Sequence, residues 1–266
     1  MLTLILGLTV FISVYVYIYK NINERFTETN VFSEGVESSN KAIEIVISRY
    51  NEDLEWLKNE PFTKHPIIIY NKSDNENFHK PENMKKYEKL PNIGRTSHTI
   101  FHHIIHNYNN LADVTVFLHG SSDISYKYPK AVKMTNLVET HKDSVFIADK
   151  LNDIKTDLYD FQIDQYSSSN HQNFSINPEN ELVLSEIRPF GKWYEKMFGN
   201  KHTQHLAYQD MISVSKRHIQ QHPIEYYKKL LAQTTTGSNT ETGHYFERAW
   251  EAVFYPMDNL MTHKIE

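Results

Sequence analysis

The chain predicts an α/β fold: a single domain with a mostly parallel central sheet flanked by helices, preceded by an N-terminal transmembrane helix. Three observations predict it. Short apolar runs rich in β-branched residues alternate with stretches of helical periodicity, the pattern of a sheet covered by helices. Polar clusters fall directly after three of those runs, where open α/β sheets bind ligands. The segment from Leu2 to Tyr19 carries no charge over eighteen residues, about the length that crosses a bilayer.

That first segment is expected to stay as an anchor, because no basic stretch precedes it and no small-residue cleavage site follows before Ala42. Tyr15, Tyr17 and Tyr19 suit an interfacial belt. The expected organisation is an anchor over 1–20, a polar stalk over 21–41, the α/β domain over 42–256 and a tail over 257–266. Lys20 and Arg25 after the span favour a cytosolic domain. The sequons at Asn71 and Asn173 favour a lumenal one, so a single-pass membrane protein is expected with its orientation open.

Ala42–Ser48 reads as the first strand, followed by a helix through Leu54, Trp56 and Leu57. Ile67–Tyr70 is a fully apolar run, as in a buried parallel strand. Asn75–Pro91 reads as loop, and a helix begins near Arg95 with Thr96 or Ser97 as its cap. Val114–Leu118 and Val145–Ala148 are the next strands, separated by a helix over Pro129–His141. Asp149–Arg188 reads as an irregular insertion. Beyond it come a helix near Trp193–Phe198, a strand over Met211–Ser215, a helix over Pro223–Ala232 and a last helix over Gly243–Phe254. No internal repeat is present.

Composition narrows the chemistry. With no cysteine in 266 residues, disulfides, thiolate metal sites and cysteine nucleophiles are excluded, leaving His, Asp and Glu as metal ligands. Twenty-eight Lys and Arg against 33 Asp and Glu, without a run of like charges, exclude a dense basic face for nucleic acid.

After the first strand, Arg49, Tyr50, Asn51 and Asp53 would meet a phosphate, stack on a base and hydrogen-bond it; the alternative is a solvated loop. After the central strand, His119 and Asp123 would hold a divalent ion, unless the segment is only a polar turn. His98, His102 and His106 recur every four residues on one helical face. That sequence superficially resembles HExxH, but His103 stands where the protease glutamate must be, and a polar helix flank is the alternative. In the last helix, Glu247 or His244 would act as a base and Arg248 would hold a phosphate or pin Glu247, against an ordinary helix charge pattern. Thr234–Thr242 reads as a lid.

Ordered motifs spread over the chain carry a family resemblance. They run Val46-Ile47-Ser48-Arg49-Tyr50-Asn51-Glu52-Asp53, Ile69-Tyr70-Asn71-Lys72, Leu90-Pro91-Asn92-Ile93-Gly94-Arg95-Thr96-Ser97-His98, Leu118-His119-Gly120, Val214-Ser215-Lys216-Arg217 and Gly243 to Trp250. From Ile43 to Phe254 the chain resembles a domain-of-unknown-function family of fungal and giant-virus proteins that is glycosyltransferase-like, with a GT-A or Rossmann-like outline. The resemblance implies transfer of a sugar from a nucleoside diphosphate sugar to a glycan, protein or lipid acceptor. It places the nucleotide at the loop after the first strand, the diphosphate and any manganese or magnesium at the central strand end, and the acceptor near the last helix; on this chain's residues Lys72 and Arg95 would meet the diphosphate, and His119 and Asp123 the ion, if one is used. An Asp-x-Asp site is absent. A His-liganded metal hydrolase and a non-enzymatic membrane-anchored binding protein are the rival expectations.

Overall fold

Alternation along the first strand builds the core. In β1 (Ile43–Arg49), Ile43, Ile45 and Ile47 face one layer, while Glu44, Val46 and Ser48 face the other. Neighbouring strands repeat the division: Ile67 and Ile69 lie with the first set in β2 (Ile67–Asn71), Ile68 and Tyr70 with the second. Both faces are therefore apolar, which is why these strands read as continuous hydrophobic runs. The computed structural model describes residues 41–164 and 182–264. The expected anchor, nearly all of the stalk and the sequon at Asn173 lie outside them. Among the described residues, no helix is long and apolar enough to cross a membrane.

The remaining strands are β3 (Met84–Lys89), β4 (Val114–His119), β5 (Val145–Ile147), β6 (Asp149–Lys150), β7 (His205–Leu206), β8 (Ile212–Ser215) and β9 (Met261–His263). Seven of the strands form one sheet in the order β3-β2-β1-β4-β8-β5-β9, and β6 pairs with β7. β1, β2, β3 and β4 run parallel, as do β5 and β9, whereas β8 is antiparallel to both of its neighbours. From β1 the chain moves to β2 on one side and later returns to β4 on the other. The crevice between β1 and β4 at their carboxyl ends is thus the topological switch point.

The helices are α1 (Arg95–Asn107), α2 (Tyr128–His141), α3 (Ile154–Asp157), α4 (Phe190–Phe198), α5 (Lys216–Gln220), α6 (Ile224–Ala232) and α7 (Glu241–Val253). Ile100, Phe101 and Ile104 of α1 share the larger core layer with Tyr227, Phe246 and Trp250. Ala131, Met134 and Val138 of α2 pack on the opposite layer with Leu54, Trp56 and Phe62.

Four expectations are corrected. The segment after β1 is a 3-10 turn over Glu55–Lys58, not a longer helix, and Leu54 enters it in the left-handed region (φ 62°). The stretch expected to be loop contains β3, an edge strand whose Lys and Glu side chains hide the apolar signal and guard against edge pairing. Neither Thr96 nor Ser97 caps α1: Gly94 does, at φ 57°. A β-carbon on Gly94 would lie 2.2 Å from the Thr234 carbonyl oxygen, so both dihedral and space require glycine there. Finally, the stretch expected to be a tail supplies β9, and the domain extends to at least His263.

The irregular stretch after β5 is fastened from α7. The buried Glu241 carboxylate accepts from the Ile163 and Ser185 amides, from Arg188 Nε at 2.8 Å and from Tyr245 Oη at 2.8 Å. One acid thereby holds the chain on both sides of residues 165–181.

Candidate functional site

Polar side chains gather at the carboxyl edge of the sheet in two adjoining groups. The first is the loop system beyond β1 and β2, organised by Arg49. This side chain is fully buried. Its Nε donates to the Glu52 carbonyl, and its Nη1 to the Tyr50 and Asn75 carbonyls and to Asn71 Oδ1 at 2.7 Å. Phe78 covers the guanidinium at 3.9 Å. Arg49 is therefore committed to loop carbonyls, and this corrects its expected place against a phosphate; one nitrogen, Nη2, is buried without a partner.

The rest of that loop is more open. Tyr50 is half-buried, Asn51 accepts from Ser73 Oγ at 2.7 Å, and the exposed Asp53 accepts from the Glu55 amide. Glu52 turns inward, accepting from the Tyr50 amide at 2.7 Å. It lies so close to β4 that a β-carbon on Gly120 would come within 2.6 Å of Glu52 Oε2, and Trp56 Nε1 donates to the Gly120 carbonyl. Gly120→Ala is accordingly expected to push Glu52 off the Tyr50 amide and cost about 1–3 kcal/mol by overpacking. Urea unfolding measures it, and an unchanged midpoint would show that the two loops are not packed in this way.

The second group joins β4, β8, α1 and α7. Arg95, also left-handed (φ 50°), donates from Nη1 to Asn239 Oδ1 at 3.2 Å and to His244 Nε2 at 3.5 Å. Because a guanidinium only donates, Nε2 is the accepting nitrogen of His244 and Nδ1 carries the proton, facing Glu247 Oε2 at 3.7 Å. Burial, with Arg95 and Arg248 adding, lowers the His244 pKa, although Glu247 opposes them. His244 therefore favours the neutral imidazole more than a free histidine does. Glu247 accepts from the Gln209 amide and from Arg248 Nη1 at 3.3 Å. Burial alone would raise its pKa, but the nearby His244 ring, the Arg248 charge and the Gln209 amide hold it well below the usual carboxylate range. Arg248 itself is stacked on Phe161 at 3.8 Å and donates to the His244 carbonyl, so it pins the Glu247 end of the helix.

His119 closes the group from β4. Its Nε2 donates to the Gln209 carbonyl, which can only accept, so Nδ1 is left to accept from Thr96 Oγ1 at 3.4 Å. Burial, then the nearby Lys127 charge, pushes its pKa down to about 3. Both ring nitrogens are committed, and Asp123 points to solvent. Among the described residues no group of three His, Asp or Glu side chains could hold a metal ion. His119 and Asp123 belong to no such group. The histidines of α1 fare similarly: His98, His102 and His106 stack, with centroids 6.1 and 3.9 Å apart, and His102 Nε2 meets Glu88 at 3.0 Å. They form a column along the helix and do not converge on a point.

Several site residues escape the sequence reading. Lys127 is buried at the start of α2, its Nζ donating to Ser121 Oγ at 3.0 Å. Asp210 is buried beside α7, accepting from Trp250 Nε1 at 2.9 Å; burial and then the Glu247 charge raise its pKa. Gln209 and Asp210 both have left-handed backbones (φ 72° and 49°), strain of the kind concentrated at functional sites. Lys72, which the sequence does single out, is buried with its Nζ on the Ile93 carbonyl at 2.7 Å and on the Arg95 carbonyl. Burial, then Arg95, brings its pKa down to about 7.

Fold and site together define an α/β domain with a mostly parallel sheet and a cation-rich polar cluster at its switch point. The chain belongs to the family described as Protein of unknown function (DUF3431), whose model matches residues 45–264. That match carries no activity with it. No curated protein matches the chain.

Proposed function

We propose that this domain binds a nucleoside diphosphate sugar across the β1–β4 crevice and transfers the sugar to a hydroxyl acceptor beside α7. One observation carries the reading: Arg95 joins the cation-rich crevice to His244, whose other ring nitrogen faces the Glu247 carboxylate. In this reading the ring of Tyr50 and the amide and acid of Asn51 and Asp53, in the loop after β1, would receive the base.

In the proposed step, the acceptor oxygen bonds to the anomeric carbon while the bond from that carbon to the diphosphate oxygen breaks. The electron pair leaves with the nucleoside diphosphate, and the hydroxyl proton goes to His244 Nε2 once the incoming anion has drawn Arg95 away from it. Glu247 then holds the imidazolium by charge, as a carboxylate behind a catalytic histidine does. Glycan, protein and lipid acceptors all offer such a hydroxyl, and a lipid acceptor or an anchor at 1–20 would place the reaction at a membrane.

Titration of the purified full-length chain against a panel of nucleoside diphosphate sugars, followed by assay of nucleoside diphosphate release with and without acceptor, tests this. Binding of a donor with release is expected. Binding without release under any acceptor would leave the non-enzymatic reading, and no binding would end the transferase proposal.

A further inference from the structure

Two lysines at the site are placed as if a negative charge were missing. Lys72 is 7% exposed and Lys127 is 9% exposed. Among the described residues neither forms an ion pair: Lys72 donates to the Ile93 and Arg95 carbonyls, with the buried Asp210 the one acid acting on it, and Lys127 donates to Ser121 Oγ beside the Tyr126 ring at 5.9 Å. The acids that act on Lys127 are the buried Glu52 and Glu247, which are already engaged by the Tyr50 amide and by Gln209 and Arg248, and the exposed Asp123. An ammonium taken out of water without a counter-ion costs several kcal/mol, so both amines hold their charge less readily than a free lysine does. The cost is offset if the occupant brings the anion. Meanwhile, of the residues expected to hold a divalent ion, His119 has both nitrogens hydrogen-bonded and Asp123 faces solvent.

We infer that Lys72 and Lys127 together neutralise the diphosphate of the ligand in the role a divalent metal ion would otherwise fill, so that binding is independent of metal. This rests on the proposed nucleoside diphosphate site and adds its charge partners. Lys72 approaches from the end of β2 through the Arg95 turn, and Lys127 from beyond β4. Arg95 lies between them in charge, since it acts on both amines, and each amine now rests on a neutral oxygen that an anion could replace. Direct amine contacts of this kind are charge-assisted hydrogen bonds, among the stronger that a side chain makes.

Calorimetric titration of the full-length chain tests it, with inorganic pyrophosphate and with uridine, guanosine and adenosine diphosphates as probes, each in EDTA and in manganese. The expected result is binding in EDTA of nearly the same affinity as in manganese, weakened about tenfold to a hundredfold by Lys127→Met and by Lys72→Met. Methionine keeps the volume and removes the buried charge, so thermal melting should show both variants folded; Lys127→Arg, which keeps a cation, should recover part of the affinity. Loss of binding in EDTA, or unchanged affinity in folded methionine variants, would overturn the inference while leaving the nucleotide site standing. Absence of binding by every probe in both conditions would overturn the site itself.

Discussion

Arg49→Ala is expected to destabilise the domain by about 2–4 kcal/mol, through the loss of several hydrogen bonds from one buried charged donor. The reason lies in what the guanidinium holds. It gathers the Tyr50, Glu52 and Asn75 carbonyls and Asn71 Oδ1 from two different loops, and Phe78 closes over it. Alanine would take the donor from four acceptors, of which Asn71 Oδ1 alone keeps another, the Ser73 amide, and would leave the ring of Phe78 over a void. Lysine keeps the charge but not the planar fork, and reaches at most part of that set, so Arg49→Lys should recover only a fraction of the loss. Urea unfolding of the three proteins measures this. An arginine whose work is to meet a phosphate would behave oppositely, since its removal would leave stability within about 0.5 kcal/mol and abolish ligand binding. A midpoint unchanged by alanine would therefore return Arg49 to the binding role.

The contrast shows what the sequence can and cannot say about this site. The runs Ile43–Ile47, Ile67–Tyr70 and Val114–Leu118 announce buried parallel strands by composition alone, and the switch-point rule then locates the crevice without knowledge of any side chain. Arg95, His244, Glu247 and Lys72 are brought to that edge as the spacing implies. Direction is what the one-dimensional pattern leaves out. Arg49 ends a strand that points at the site, yet its long side chain folds back onto its own loops. β8 is antiparallel, so its amino end lies at the carboxyl edge of its neighbours, with Ile212 opposite Phe117. Gln209 and Asp210 are delivered to the site for that reason, whereas in a parallel strand they would lie at the opposite edge. Lys127 was concealed differently: it precedes a helix marked by Pro129 and reads as an ordinary first-turn residue, and only its burial separates it from the other lysines.

If the proposed sugar transfer is the reaction, His244→Gln is expected to lower its rate by about 10²–10⁴-fold, the range for loss of a general base, while leaving donor affinity within about threefold. Glutamine retains a neutral acceptor for Arg95 and therefore removes proton uptake with little change of charge. The pH profile gives an independent reading. The reaction needs the imidazole neutral, so the rate falls as pH drops through the His244 pKa. Burial and Arg95 set that pKa below the ordinary imidazole value, which places the acid limb below about 6.5. Glu247 opposes the shift, so Glu247→Gln should move the limb to still lower pH as well as slow the reaction, because imidazolium loses its partner. Asp210 is the competing base, since burial and the Glu247 charge raise its carboxyl toward the working range. It already accepts from Trp250 in the interior, and Asp210→Asn should cost stability more than rate. If instead Asp210→Asn stops transfer and His244→Gln spares it, the proton goes to the carboxylate, and the acceptor would approach from the β8 side of the crevice.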